Sequence, residues 1–321
     1  MRIFKKLVGV LLALFASASF AQAYPSKPIK LVIGLSAGGP SDVMARTVAL
    51  ALGERLGQQV VVENRTGVGG NIAAEGVAKS PADGYTLLFG SSGPLAVSPT
   101  LFQKLAYDPL KDFAPVGLVA NLPLVLAVPT SLPVHNVQEL IALAKARPGA
   151  LNYASAGNGG ITHLAMELLK SEANVDIRHV PYKGTAAAMP DVVSGNVQMV
   201  MDGWSGVQPL VKAGKLRQIA VAVDKRLAVA PDVPTIAEHG FPGFNASPWY
   251  GILAPAGTPQ PIVSKLSSEL AAVMSSAALK EKFQSLGMEP LTSTPAEFAA
   301  FLRTENEKWA KVVKRSGAKA E

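Results

Sequence analysis

Two glycine-rich loops are the segments of this chain best suited to hold an anion. The first runs over residues 36–42 and the second over residues 155–160, and each lies between a predicted strand and the start of a predicted helix. Unpaired N–H groups at a helix start, together with the helix dipole, attract a carboxylate or phosphate. Glycine lets the backbone approach a ligand closely. Two such loops predict a grip on an anion from both sides of a cleft, although turns of this kind often bind nothing.

The predicted ligand-binding residues lie at or beside the carboxyl ends of the predicted strands. They are Ser36, Ala37, Gly38, Gly39, Ser41, Asp42, Ser91, Ser92, Ser155, Ala156, Gly157, Asn158, Gly159, Gly160, His163, Lys183 and Asp202. His163 is either a donor to a carboxylate or a helix cap. Asp42 and Asp202 are candidates to accept from an amine or from waters, with helix capping and turn formation as equal alternatives. Lys183 is either a ligand contact or a solvated cation.

Motifs of other functional classes fail on spacing. A dinucleotide fingerprint requires glycine where Thr162 stands, and a nucleophile elbow requires glycine where Tyr153 stands. The phosphate-binding Gly-Lys-Ser/Thr sequence is absent, and no pair of histidines forms the zinc motif H-E-x-x-H. His163 and Glu167 lie one helical turn apart, but two ligands make a poor metal site. The sequence therefore predicts no catalytic residue, no metal and no cofactor, and an exported hydrolase is a weak alternative.

The N-terminus is typical of a secretory signal peptide over residues 1–23. Basic residues precede an apolar stretch too short to span a bilayer comfortably, and Ala21-Gln22-Ala23 provides the small residues that signal peptidase requires. We predict cleavage after Ala23 and a periplasmic protein that begins at Tyr24, in preference to an uncleaved anchor. The chain contains no cysteine, which excludes both a lipid anchor at the cleavage site and disulfides.

The net charge expected after removal of the signal peptide is smaller than the net charge of the full chain. The net charge is +7, but three basic residues lie in the predicted signal peptide, which leaves 27 basic and 23 acidic residues, or +4. The basic residues do not cluster with aromatic ones, which argues against nucleic-acid binding. A mild positive balance suits an anionic solute, and ordinary solubility explains it equally well.

Strands and helices alternate along the chain, which predicts an α/β fold. Strands are predicted over residues 29–35, 59–63, 85–89, 151–154, 177–180, 197–201 and 216–223. Helices are predicted over residues 43–56, capped by Ser41 or Asp42, and over 71–79, 137–146, 162–171, 185–194, 262–274, 277–286 and 295–316. Residues 116–128 and 249–253 are interpreted as extended strands that cross between two lobes. The predicted first lobe comprises 24–122 and 250–321, and the second comprises 123–249.

Several segments resemble the Bug family of periplasmic solute-binding proteins, the TctC-like receptors of tripartite tricarboxylate transport systems. They are YPSKPI (24–29), AGGPSD (37–42), VENR (62–65), DGYTLL (83–88), LNYASAGNG (151–159), HVPYKG (179–184), AGKLR (213–217) and WYGILAPAGTP (249–259). They span nearly the whole chain after the signal peptide, in the order and spacing of the family.

The resemblance implies a type II periplasmic binding protein fold, with two α/β lobes, a central cleft and two crossing strands. It implies that the two glycine-rich loops hold carboxylates through backbone N–H groups and waters. The solute is expected to be an amino acid, a di- or tricarboxylate or an aromatic acid, delivered to membrane permease subunits. Presentation to a sensor kinase is the alternative, and we expect a monomer. The family usually has a Pro-Phe or similar pair where this chain has Gly34-Leu35, so an aromatic pocket wall is expected to be missing.

Overall fold

In a computed structural model, which describes residues 24–320 of the chain, strands and helices alternate as the sequence predicted. The predicted signal peptide and its cleavage site lie outside the described residues. The strands are β1 (Ile29–Ile33), β2 (Val60–Asn64), β3 (Thr86–Ser91), β4 (Phe113–Asn121), β5 (Leu124–Pro129), β6 (Asn152–Ser155), β7 (Arg178–Pro181), β8 (Met199–Gly203), β9 (Leu216–Val221), β10 (Trp249–Pro255) and β11 (Glu289–Pro290). The α-helices are α1 (Pro40–Leu56), α2 (Asn71–Ala78), α3 (Ser98–Leu101), α4 (Val137–Ala146), α5 (Ile161–Ala173), α6 (Thr185–Ser194), α7 (Trp204–Lys212), α8 (Gln260–Ser275), α9 (Ala277–Ser285) and α10 (Pro295–Ser316).

The strands form two mixed sheets, one in each of two α/β lobes. The first sheet has the order β11-β4-β10-β3-β1-β2, and the second has the order β7-β6-β8-β5-β9. Within the first sheet, β1 is parallel to β2 and β3, while β10 runs antiparallel to β3 and β4. In the second, β6 is parallel to β7 and β8, while β5 runs antiparallel to β8 and β9. The α/β class and the two lobes predicted from the sequence are confirmed.

The chain crosses between the sheets through two adjacent segments. The single extended strand predicted over 116–128 is wrong, because it breaks at Leu122-Pro123 into β4 of the first sheet and β5 of the second. Proline has no N–H to continue a ladder. The second crossing enters the first sheet at Trp249, which pairs with Asn121. The two crossings are joined where Leu122 N donates to Pro248 O at 2.8 Å.

Helix α10 lies across both lobes. It begins with a capping box, in which Thr294 Oγ1 accepts a hydrogen bond from Glu297 N and Glu297 Oε2 accepts one from Thr294 N. Its buried face packs on β4 of the first lobe and on α5 of the second. The sequence placed the C-terminal helices on the first lobe alone, so the contact with α5 is an additional link between the lobes.

Several short elements were missed by the sequence analysis. Helix α7 contains Gly206 and Pro209, which weaken a helical pattern. Residues 93–97 form a π-helical turn that leads directly into α3. Among residues 24–320, no single helix is long and apolar enough to cross a membrane. Helices α8 and α9 meet the length and apolarity required only when they are taken together, and a 66° bend separates them.

Candidate functional site

The first glycine-rich loop ends in a helix that begins earlier than predicted. The N-cap of α1 is Gly39, with Pro40 in the first turn, and neither Ser41 nor Asp42 caps it as the sequence suggested. Pro40 suits this place because its fixed φ is already helical and its missing N–H would have had no partner. Ser41 and Asp42 are therefore helical residues, with side chains free for other contacts.

Asp42 holds the first loop in shape. Its Oδ2 accepts hydrogen bonds from Gly38 N and Arg46 Nε, both at 2.9 Å, and its Oδ1 accepts from Asn64 Nδ2 at 2.9 Å. The Arg46 bond, followed by the Gly38 amide, lowers the pKa of this carboxyl to about 2. Asp42 as a whole residue is 3% exposed. Asp42 is thus an ionised internal brace that uses one of the N–H groups expected to bind a ligand.

The second glycine-rich loop uses its own side chains to satisfy three of its N–H groups. The bonds run from Ala156 N to Thr162 Oγ1 at 3.0 Å, from Gly157 N to Ser155 Oγ at 3.1 Å, and from Gly159 N to His163 Nδ1 at 3.0 Å. These amides are therefore not available to a solute in this conformation. The loop instead presents the start of α5, whose first N–H groups have no partner within the helix.

His163 belongs to a buried stack behind this loop. Its Nδ1 accepts from Gly159, so the ring is neutral with its proton on Nε2, and burial lowers its pKa. The ring is parallel to that of His179 at 3.9 Å, and His179 is stacked on Tyr153 at 4.9 Å. Burial and then His163 lower the pKa of His179 to about 4. His163 braces the loop from behind, in addition to any role as a donor.

Ser155 and His179 form a close pair, but it is not arranged as a nucleophile and base. The Ser155 Oγ lies 2.6 Å from His179 Nε2 and also exchanges hydrogen bonds with Gly157. Ser155 is 0% exposed. A nucleophile must reach its substrate, and this hydroxyl is closed off by its own loop.

A cavity of about 420 Å³ lies between the two lobes. Five of the predicted residues line it: Ser91, Ser92, Asn158, Gly159 and Gly160. The sequence analysis missed its other lining residues: Leu35, Val68, Gly69, Gly93, Val97, Ser98, Leu101, Phe102, Ile161, Pro248, Tyr250 and Ala320. None of the described lining residues is charged. This cleft between the lobes is the candidate functional site.

The remaining predicted residues do not line this cleft. They are Ser36, Ala37, Gly38, Gly39, Ser41, Asp42, Ser155, Ala156, Gly157, His163, Lys183 and Asp202. Lys183 is exposed in the turn before α6. Asp202 lies between the starts of α6 and α7, hydrogen bonded to the Thr185 side chain and the Gly203 amide, and burial raises its pKa.

The two lobes approach each other closely at one point on the cleft wall. A Cβ on Gly159 would lie 2.6 Å from Leu101 Cδ2, so a larger residue at this position would require the Leu101 side chain on α3 to move. Gly159 also has φ +70°, in the left-handed region that glycine adopts without strain. The second loop therefore touches the first lobe directly beside the cavity.

Tyr250 provides a phenol among the described residues of the cleft wall. Its ring stacks on Phe89 at 5.7 Å, and burial raises its pKa to about 12 despite a hydrogen bond with the Ser41 side chain. Tyr250 pairs with Ser91 in the antiparallel ladder, which places it at the carboxyl end of β3. No local pattern marks this residue, because its position depends on a strand pairing across 159 residues of chain.

Comparison with known proteins agrees with this architecture. Residues 44–318 match the profile described as the tripartite tricarboxylate transporter family receptor, TctC. The chain belongs to this family. Protein BugT of Bordetella pertussis is 39% identical over 315 residues, which cover 97% of this chain and 97% of that protein. The resemblance to the Bug and TctC-like proteins is confirmed.

Solved structures of related proteins have the same fold. A protein of R. palustris, solved with adipate, is 39% identical with a TM-score of 0.78, covering 92% of this chain and 99% of that chain. MatC from Rhodopseudomonas palustris, with bound malate, is 33% identical with a TM-score of 0.73, covering 90% and 100%. The periplasmic binding protein BugD is 34% identical with a TM-score of 0.74, covering 93% and 100%.

The TctC family consists of solute-binding receptors and not of enzymes. The expectation that this chain is a binding protein without catalytic activity is therefore confirmed. Among residues 24–320, no group of three or more His, Asp or Glu side chains is placed to hold a metal ion.

Proposed function

We propose that this TctC-family chain is a periplasmic receptor for a carboxylate whose body is apolar, such as a linear dicarboxylate or an aromatic acid. The main support for this proposal is the cleft of about 420 Å³ between the lobes, because all of its described lining residues are uncharged. Leu35, Val97, Leu101 and Ile161 offer it an aliphatic surface. Each buried methylene of a solute contributes about 0.8 kcal/mol of transfer free energy.

Neutral donors in the cleft lining suit the carboxylate end of such a solute. Ser91 and Ser92 provide hydroxyl groups, and Gly160 and Ile161 bring the positive end of α5 to the cleft. A carboxylate held by neutral donors and a helix dipole needs no basic side chain. The relative solved with adipate, at 39% identity, supports this class of solute.

An amine on the solute would be poorly accommodated. Asp202, the expected acceptor of an amino group, is hydrogen bonded to Thr185 and Gly203 and does not line the cleft. An ammonium group moved from water into an uncharged cleft loses hydration without gaining a partner. We therefore place simple carboxylates above amino acids as solutes, and assign Asp202 to joining the starts of α6 and α7.

The proposed partner is the membrane permease of a tripartite transporter, reached when the solute draws the lobes together. Ligand contacts on both lobes favour the closed state. In this proposal the first lobe comprises residues 24–122 and 250–320, and the second comprises residues 123–249. Trp249, at the boundary, pairs with Asn121 in the sheet of the first lobe.

Calorimetric titration of the mature protein with adipate and 2-aminoadipate tests the solute class. The two differ only in the amine, so we expect adipate to bind at least ten-fold more tightly. In a series of linear dicarboxylates, each added methylene should tighten binding about four-fold until the cleft is filled. Tighter binding of 2-aminoadipate, or affinity that does not depend on chain length, would contradict the proposal.

A further inference from the structure

Glu305 is a buried carboxylate outside the cleft, on α10, and it is 5% exposed. Its Oε2 accepts hydrogen bonds from the indole Nε1 of Trp249 at 2.8 Å and of Trp309 at 2.9 Å. Its Oε1 pairs with Lys308 Nζ. An ionised carboxylate in the interior is costly unless it is fully paired, and these contacts pair both oxygens.

The contacts of Glu305 reach the second crossing between the lobes. Trp249 lies between Pro248 and Tyr250, both of which line the cleft. Successive side chains of a strand point to opposite faces, so Trp249 turns away from the cleft and towards α10. A shift of its indole therefore displaces the backbone that carries two cleft-lining residues.

Lys308 holds the other end of the same segment. Its Nζ donates to Asn245 O at 3.1 Å, while it is paired with Glu305. Residues 245–249 are thus attached to α10 at both ends, through Asn245 and through Trp249. The Trp249 ring is further enclosed by Phe298 at 5.7 Å and by Phe301 at 5.3 Å.

This attachment lies where the lobes must rotate. Residues 245–249 lead from the second lobe into β10, and Leu122 of the first crossing donates to Pro248 O. Helix α10 itself packs on both β4 and α5, one in each lobe. Rotation of one lobe against the other must therefore change the geometry between α10 and residues 245–249.

We propose that Glu305 is a positioning residue of the hinge, by which we mean residues 245–249. Through Trp249 it holds Pro248 and Tyr250 in place, and together with Lys308 it sets how readily the lobes close. It touches no solute and acts only through these residues. The inference rests on the proposed function for its affinity measurement alone, because the separation of the lobes is measurable without a solute.

Glu305→Gln is the principal test variant, since it keeps the size of the side chain and one acceptor but removes the charge that pairs with Lys308. Lys308→Met removes the link to Asn245 and leaves both indole bonds. Glu307→Gln is the matched control, because Glu307 is exposed on the same helix. The chain has no cysteine, so E54C on α1 and K212C on α7 provide two unique exposed sites for spin labels, one in each lobe.

In the solute-free protein, we expect both Glu305→Gln and Lys308→Met to shift or broaden the distribution of distances between the labels, with Glu307→Gln identical to the parent. The dissociation constant for adipate should rise about 2- to 30-fold in the two test variants. Label distances and affinities that match those of the control, even with a lowered melting temperature, would reduce Glu305 to a purely structural role and overturn the inference. Failure of adipate to bind the parent protein would count against the proposed solute class, while the distance measurement would still decide the role of Glu305.

Discussion

Gly34 and Gly70 pack backbone against backbone: a Cβ on Gly34 would lie 2.5 Å from the Cα of Gly70. Leu35, which follows Gly34, and Gly69, which precedes Gly70, both line the cleft. The pair of glycines therefore sets how close the turn at residues 68–70 comes to the end of β1. Leu35 gives the cleft an aliphatic side chain beside this close contact, while Phe102 and Tyr250 provide aromatic rings elsewhere in the lining.

Gly34→Ala should destabilise the fold and weaken solute binding together. The new methyl group must push residues 68–70 away from β1, and overpacking of this kind costs about 1–3 kcal/mol. Urea unfolding and calorimetric titration with adipate measure the two effects. Gly203→Ala is the control, because no atom beyond its chain neighbours lies within 4 Å of its Cβ position. If the unfolding free energy of Gly34→Ala were unchanged, residues 68–70 would be able to move away from β1 without loss of stability, which would contradict this prediction.

Leu101→Ala should weaken adipate binding, because Leu101 lines the cleft and meets Gly159 of the other lobe. The substitution removes apolar surface from the solute and contact between the lobes, and we expect a loss of about 1–2 kcal/mol, or about 5- to 30-fold in the dissociation constant. Leu110→Ala is a matched control, because Leu110 is 48% exposed and does not line the cleft. Equal affinities for the two variants would contradict the position assigned to the solute.

The stacked histidines predict a loss of stability in acid. The pKa of His179 falls from about 6.5 when unfolded to about 4 when folded, so the unfolded chain binds more protons between these values. The contribution of this group to stability is complete above pH 6.5 and is lost as the pH falls towards 4. Glu167 and Lys170 face the same stack and act on His179 in opposite directions.

Urea unfolding at several pH values between 7 and 4 measures this effect. We expect His179→Gln to flatten the decline in unfolding free energy that the parent shows below pH 6.5, by at most about 3 kcal/mol. His135→Gln is the control, because His135 is exposed. If the unfolding free energy of His179→Gln declined as steeply with falling pH as that of the parent, His179 would not be the cause of the decline.

Cleavage after Ala23 would leave Tyr24 as the first residue, and the structure shows Tyr24 well attached. Its hydroxyl donates to Gly84 O at 2.7 Å, its carbonyl accepts from Lys265 Nζ at 2.6 Å, and its ring lies 5.1 Å from that of Tyr85. N-terminal sequencing of protein from a periplasmic fraction should begin Tyr-Pro-Ser. Ala23→Asp should block processing and leave a larger product with the membranes; normal processing of that variant would place the cleavage site elsewhere.

Local signals in the sequence determined much of the secondary structure. The predicted bounds of α4, α6 and α10 match the structure at both ends. Asn136 caps α4 by accepting from Glu139 N, Gly195 ends α6 with a left-handed φ of 82°, and Thr294 starts α10. Each signal acts within about four residues, so it is present in the sequence before any tertiary contact forms. The two loops of the anion hypothesis were likewise visible as glycine-rich turns between strand and helix.

Only the tertiary structure decided which groups face the cleft. Three N–H groups of the second loop are satisfied by Ser155, Thr162 and His163, and residue types alone do not reveal which donors remain free. Tyr250 reaches the cleft because β10 pairs with β3, and Leu101 because the lobes meet at Gly159. The sequence by itself determined the α/β class, the family and the places where strands give way to helices, because those follow from short-range patterns. The uncharged lining of the cleft and the attachment of Trp249 to Glu305 depend on contacts between distant residues, which form only when the two lobes pack together.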